Sequence, residues 1–206
     1  MKLHLAALTI LFFALTTSPA WAQSDWSYNN GPLNGDTDAW TINFGFIVSD
    51  SFVAGGTRVT RLVFETWLVL GDVVTSVDWS ITAQENGVCP GPGCYGYGTA
   101  TGYCSLSIFA PGTCPNATSI ITTNDGENAY AYQLAAITVR TINVTGLVPG
   151  GTYWLNLQNA VTVFGDPVYW DENSGIGCTS PGCPSSASQN QVGTIPSETF
   201  TIFGSS

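Results

Sequence analysis

Within the run Tyr169-Trp170-Asp171-Glu172-Asn173, two aromatic rings sit beside two carboxylates and an amide. An extended strand alternates its side chains, so Tyr169 shares one face with Asp171 and Trp170 shares the other with Glu172. A sugar ring lays its C–H face on an aromatic side chain and gives its hydroxyls to Asp, Glu or Asn, which makes these five residues a candidate glycan site. A competing reading buries Trp170 in the core and leaves residues 171–175 as a polar exit loop, because large aromatics are mostly buried. Trp40, Trp79 and Trp154 stand mid-strand in alternating patterns and are read as core.

Residues 29–38 crowd short oxygen-bearing side chains into a Gly-containing loop, Asn-Asn-Gly-Pro-Leu-Asn-Gly-Asp-Thr-Asp. Oxygen donors of this kind suit calcium, with Asn34, Asp36 and Asp38 as candidate ligands, although EF-hand spacing and its terminal Glu are missing. The alternative is a solvated turn whose Asx side chains cap local N–H groups. Asn124-Asp125-Gly126-Glu127 reads as an ordinary turn by the same chemistry. Glycoside hydrolysis needs two carboxylates about 5 to 9.5 Å apart, and Asp38, Glu65, Asp171, Glu172 and Glu198 are available in principle. The chain's 14 carboxylates are more simply a solubilising charge, so no catalytic residue is assigned.

The cations exclude much other chemistry. Lys2 and His4 precede the apolar run 5–15, and Ser18-Pro19-Ala20-Trp21-Ala22 has the small-x-small form of a signal peptidase site. Residues 1–22 are therefore expected to be a signal peptide; the apolar run is short for a membrane span of about 20 residues. That segment holds the only Lys, the only His and the only Met, so Arg58, Arg61 and Arg140 face all 14 carboxylates, a formal net charge of −11. Without His there is no imidazole base, no Ser-His or Cys-His nucleophile and no His-ligated metal. Without Lys there is no Schiff base and no P-loop lysine. Three Arg on so acidic a chain oppose nucleic-acid binding. No later segment approaches 18 consecutive apolar residues, so no membrane span is expected after signal cleavage.

Export makes disulfides the default for the six cysteines. Cys89-Pro-Gly-Pro-Gly-Cys94 and Cys178-Thr-Ser-Pro-Gly-Cys183 each carry Pro-Gly between their cysteines, so a turn brings each pair within bridging distance. Cys104 and Cys114 close a longer loop. The expected pairing is 89–94, 104–114 and 178–183; the alternative is a four-cysteine zinc site built from the two short loops.

The elements that must position these residues are strands. Apolar alternation runs through residues 38–44, 59–65 and 77–82, with further candidates at 95–108, 130–145, 152–158, 167–171 and 198–203. Gly71-Asp72, Asn86-Gly87, Asn124-Asp125-Gly126 and Pro149-Gly150-Gly151 mark turns between them. About eight or nine strands at this spacing predict an all-β fold, a single jelly-roll-like β-sandwich over residues 23–206 with disulfide-closed loops. No change of composition marks a second domain.

Several blocks carry a resemblance. They are Asn30-Gly31-Pro32 with Asp38-Ala39-Trp40, Val48-Ser49-Asp50-Ser51-Phe52, and Gly71-Asp72 with residues 75–81. Residues 151–160, 167–175 and 196–202 continue it. The pattern resembles secreted bacterial proteins of the PEP-CTERM-associated type, whose sorting tail is absent here. The resemblance implies an exported β-sandwich of an exopolysaccharide-producing diderm bacterium and implies no activity, while the departure from the tail pattern leads us to expect a released or periplasmic protein.

Together these readings lead us to expect a secreted, non-catalytic, matrix-associated sandwich. Its expected partner is extracellular polysaccharide, with calcium as the one cofactor considered. A carboxylate-dependent glycan-active enzyme and a purely structural or adhesive surface protein are the alternatives.

Overall fold

The computed structural model describes residues 25–35, 38–102 and 120–206. The expected signal peptide, Asp36 of the calcium loop and the Cys104–Cys114 pair lie outside the described residues. Among those residues the regular elements are all strands, and no helix is long and apolar enough to cross a membrane.

The first seven strands are β1 (Asp25–Asn29), β2 (Asp38–Thr41), β3 (Ile47–Val53), β4 (Arg58–Val69), β5 (Val74–Thr82), β6 (Cys94–Thr101) and β7 (Ile120–Glu127). The rest are β8 (Tyr132–Val139), β9 (Val144–Thr145), β10 (Thr152–Thr162), β11 (Val168–Glu172), β12 (Ala187–Gln189), β13 (Gly193–Ile195) and β14 (Phe200–Ser205). One sheet has the order β1-β14-β4-β11-β2, with β7 on β8 and both β8 and β9 on β4. The other runs β13-β12-β3-β10-β5-β6.

β4 organises the first sheet because its alternation is long and regular. Leu62, Phe64, Thr66 and Leu68 point inward and are buried, which leaves Glu65 and Trp67 on the outer face. On the second sheet Val77, Trp79 and Ile81 of β5 meet Leu155 and Leu157 of β10 on the inner face. The two inner faces join in one apolar core in which Trp170 packs edge-on against Phe64 and Phe200.

The sandwich expected from the turn spacing is the architecture observed. Its strand count is higher, because β1, β9, β12 and β13 are short pieces and β3 is polar at Ser49, Asp50 and Ser51. Residues 130–145 divide between β8 and β9. Asn124-Asp125-Gly126 is not the turn expected. It lies inside β7, where the register with β8 shifts between Asn124 and Gly126, while the chain reverses at Asn128–Ala131. Asn128 Oδ1 accepts from the N–H groups of Tyr130 and Tyr132, each at 3.0 Å, and so fixes that reversal.

Both short disulfides are present, Cys89–Cys94 and Cys178–Cys183, which removes the four-cysteine zinc alternative. Ser180, inside the second loop, accepts from Asn29 N at 2.7 Å and ties the loop to β1. Gly31 lies beneath that region at φ 107°, and any Cβ there would strike the Asn173 amide and the Ile176 carbonyl.

Candidate functional site

β11 alternates as the sequence requires. Tyr169 stands opposite Trp67 and Trp170 opposite Thr66, so Tyr169 and Asp171 belong to the outer face and Trp170 to the core. Trp170 is fully buried, and its indole N–H donates to Thr199 O at 2.7 Å. It has no ring face left for a sugar, so its place in the expected glycan site is corrected to a core position. Asn173 is also fully buried; its Nδ2 donates to Asn30 O at 2.7 Å and its Oδ1 accepts from Gly175 N at 2.8 Å. Glu172 is 4% exposed and accepts from Trp40 Nε1 and Ser174 Oγ.

Asp171 organises its surroundings. Its carboxylate accepts from Asn34 N at 3.1 Å, Gly35 N at 3.2 Å and Trp67 Nε1 at 2.5 Å. Burial pushes its pKa up to about 6, opposed by these three bonds, with a further rise from Glu172. Asp171→Asn loses acceptor capacity for one of three buried donors. It is expected to lower stability by about 1–2 kcal/mol, with a shift in Trp67 fluorescence as the local readout. Unchanged fluorescence would show that this anchor does not hold the indole.

Of the candidate calcium loop, Asn34 and Asp38 are among the described residues. Asn34 turns its backbone N–H onto Asp171, and Asp38 Oδ1 accepts from Ala39 N at 2.8 Å. Among the described residues no three His, Cys, Asp or Glu side chains are grouped to hold a metal ion.

What surrounds Tyr169 is a cleft that the sequence reading did not assemble. Trp67, Tyr132 and Tyr169 come from β4, β8 and β11, and with Ala39 and Asp38 they line a cavity of about 180 Å³. Trp67 and Tyr132 lie 5.8 Å apart at 37°, Tyr132 and Tyr169 5.6 Å apart at 78°. Tyr130, 60% exposed, stacks on Trp67 at 5.7 Å. Burial, then the hydrogen bond with Tyr132, pushes the Tyr169 phenol up to about 12. Glu65 lies on the same outer face. Burial, then Asp125 and Asp171, push its pKa up to about 7. The signal for this cleft was the alternation of β4, which carries Trp67 onto the face of Glu65. A second groove, of about 310 Å³ on the other sheet, is lined by Asp78, Tyr97, Thr99 and Gln158 among others. Tyr97 is its one exposed ring, since Trp79 is 8% exposed and packs in the core.

A separate carboxylate pair is sealed inside the sandwich. In β3, Asp50 shares its face with Val48 and Phe52 and so enters the core. Asp50 Oδ2 accepts from Glu198 N at 2.7 Å and from Asn30 Nδ2 at 3.4 Å. Asn30 also donates to Ser197 Oγ and Glu198 O, both at 2.6 Å, while its Oδ1 accepts from Tyr28 OH. Glu198 is fully buried, and among the described residues neither of its carboxylate oxygens has a hydrogen-bond partner. Burial drives both acids well above the carboxylate range. For Asp50 the hydroxyl of Ser185 and the N–H groups of Glu198 and Ser51 offset only part of it; for Glu198 the neighbouring Asp50, Glu172, Asp171 and Asp38 add to it. Both side chains are fully buried, so the pair is held in its protonated form inside the core. Its sequence signal was an Asp between two apolar residues of one strand face.

No protein-family model matches the chain, and no curated protein matches it.

Proposed function

We propose that the protein is a secreted, non-catalytic β-sandwich that binds extracellular polysaccharide through the cleft of Trp67, Tyr132 and Tyr169. The composition of that cleft carries the reading. Half-buried Tyr132 and Tyr169 and the exposed Asp38 enclose a small concavity on a sheet face, backed by Trp67, which is 7% exposed, the mixture of apolar wall and few polar groups that carbohydrate recognition uses. The disulfides suit a non-cytoplasmic, oxidising compartment. The likeness to PEP-CTERM-associated proteins accords with a place in an extracellular matrix. Asp171 is buried under the Asn34–Gly35 backbone, which weighs against its acting on a substrate as acid or nucleophile.

Affinity electrophoresis in gels containing the exopolysaccharide of the producing cells tests the proposal. Tyr132→Ala and Tyr169→Ala are each expected to weaken retardation about tenfold, provided circular dichroism reports an intact fold. Equal retardation of both folded variants and the parent would overturn the assignment of the cleft. Release of reducing ends would replace it with the enzymatic reading.

A further inference from the structure

We propose that the cleft selects an organic ammonium group, and that the glycan it takes is a cationic polymer of de-N-acetylated amino sugars. This rests on the glycan reading above and makes it specific in charge. A neutral pyranose stacks best on one flat platform. Here Tyr132 is tilted by 37° to Trp67 and Tyr169 meets Tyr132 edge-on at 78°, so the three rings wall a pocket instead of forming one flat floor. A cation within about 6 Å of several ring centroids is attracted by the negative faces of all of them, most strongly where water is excluded.

The placement of charge agrees. Arg58 and Arg61 lie at the start of β4, whereas Trp67 lies near its end. Arg140 follows Val139 of β8, which pairs with Leu62, so it too sits at the far end of the sheet. Arg61 stacks on the Phe203 ring at 3.7 Å. Around the cleft the charges are carboxylates. Asp38 at the rim and Glu127, which pairs with Gln133 beside Tyr132, supply that charge, while Glu65 and Asp171, raised to about 7 and about 6, are only partly ionised at pH 6. The pocket of about 180 Å³ holds one ammonium-bearing ring of a chain, with its neighbours running over the exposed Tyr130. An acetamido group would remove the charge and place a bulkier substituent in the same space.

Isothermal titration of the full chain at low salt and pH 6 decides it. The probes are a glucosamine hexamer, its fully N-acetylated counterpart and choline chloride. The glucosamine hexamer is expected to bind at least about tenfold tighter than the acetylated one, and added salt to erode the difference. Asp38→Asn, at an exposed position that keeps the acceptor for Ala39 N, is expected to reduce that preference several-fold without moving the melting temperature. Equal affinity for the two hexamers would overturn the charge selection and leave the glycan reading standing. Binding of choline alone would overturn it in favour of a headgroup ligand. Binding of neither hexamer would also overturn it, and retardation by the native polysaccharide then shows whether the glycan reading fails as well.

Discussion

Stability is expected to fall as the pH is raised from about 5 to about 8. Asp50 and Glu198 are held protonated in the folded state, whereas in the unfolded chain they ionise near pH 4. Above that point the folded protein binds more protons than the unfolded one. Stability then declines on the order of 1 kcal/mol per pH unit for each group until the folded-state pKa is passed. Glu65 and Asp171, raised to about 7 and about 6, add to the decline in the lower part of the same window. Asp72 acts oppositely. Burial raises its pKa, but bonds from Thr162, Val73 N and Phe164 N outweigh that and leave it lowered, so its contribution is lost as the pH falls through its folded value. Urea unfolding at pH 5 and pH 8 measures the slope. Because an acidic surface repels itself in the same direction, the decisive variants are Asp50→Asn and Glu198→Gln. Each should flatten the profile and stabilise the protein at pH 8; an unaltered slope in both would show that these acids are not the source.

Trp170→Ala is expected to cost about 3–5 kcal/mol, enough to unfold much of a marginally stable domain. The substitution removes a fully buried indole that packs on Phe64 and Phe200, and it leaves Thr199 O with only the long 3.5 Å bond from Glu65 N. Trp170→Phe retains part of the volume and should cost less. Near-ultraviolet circular dichroism together with denaturant unfolding checks both. A folded Trp170→Ala protein with parental stability would return this ring to the surface.

Much of the fold was legible because alternation is a local signal. β4, β5, β10 and β11 declare their inward faces through Leu62-Phe64, Val77-Trp79-Ile81, Leu155-Leu157 and Val168-Trp170. The short disulfides were legible for the same reason, since each joins cysteines five residues apart. β3 was not, because its core face contains an aspartate whose partners, Asn30 and Glu198, are 20 and 148 residues away. The site divides along the same line. Tyr169 was found from its own strand, but its companions Trp67 and Tyr132 arrive by cross-strand pairing, which no single segment announces. Trp170 illustrates the converse. The residue types around it fit a sugar, and which face of the strand met the other sheet decided the matter.

The pairing of β1 with β14 sets Asp25 against Ser205, the first described strand against the last. Edge β1 therefore has no template until the final residues of β14 are available. A chain that emerges N-terminus first must keep the Trp26 and Tyr28 strand unpaired until β14 has followed. Closure of the first sheet is a late, long-range event, slow by the topology of its contacts. For that interval the exposed strand is open to pairing with another copy of the chain. Aggregation on this edge would therefore show during folding, before any loss of equilibrium stability.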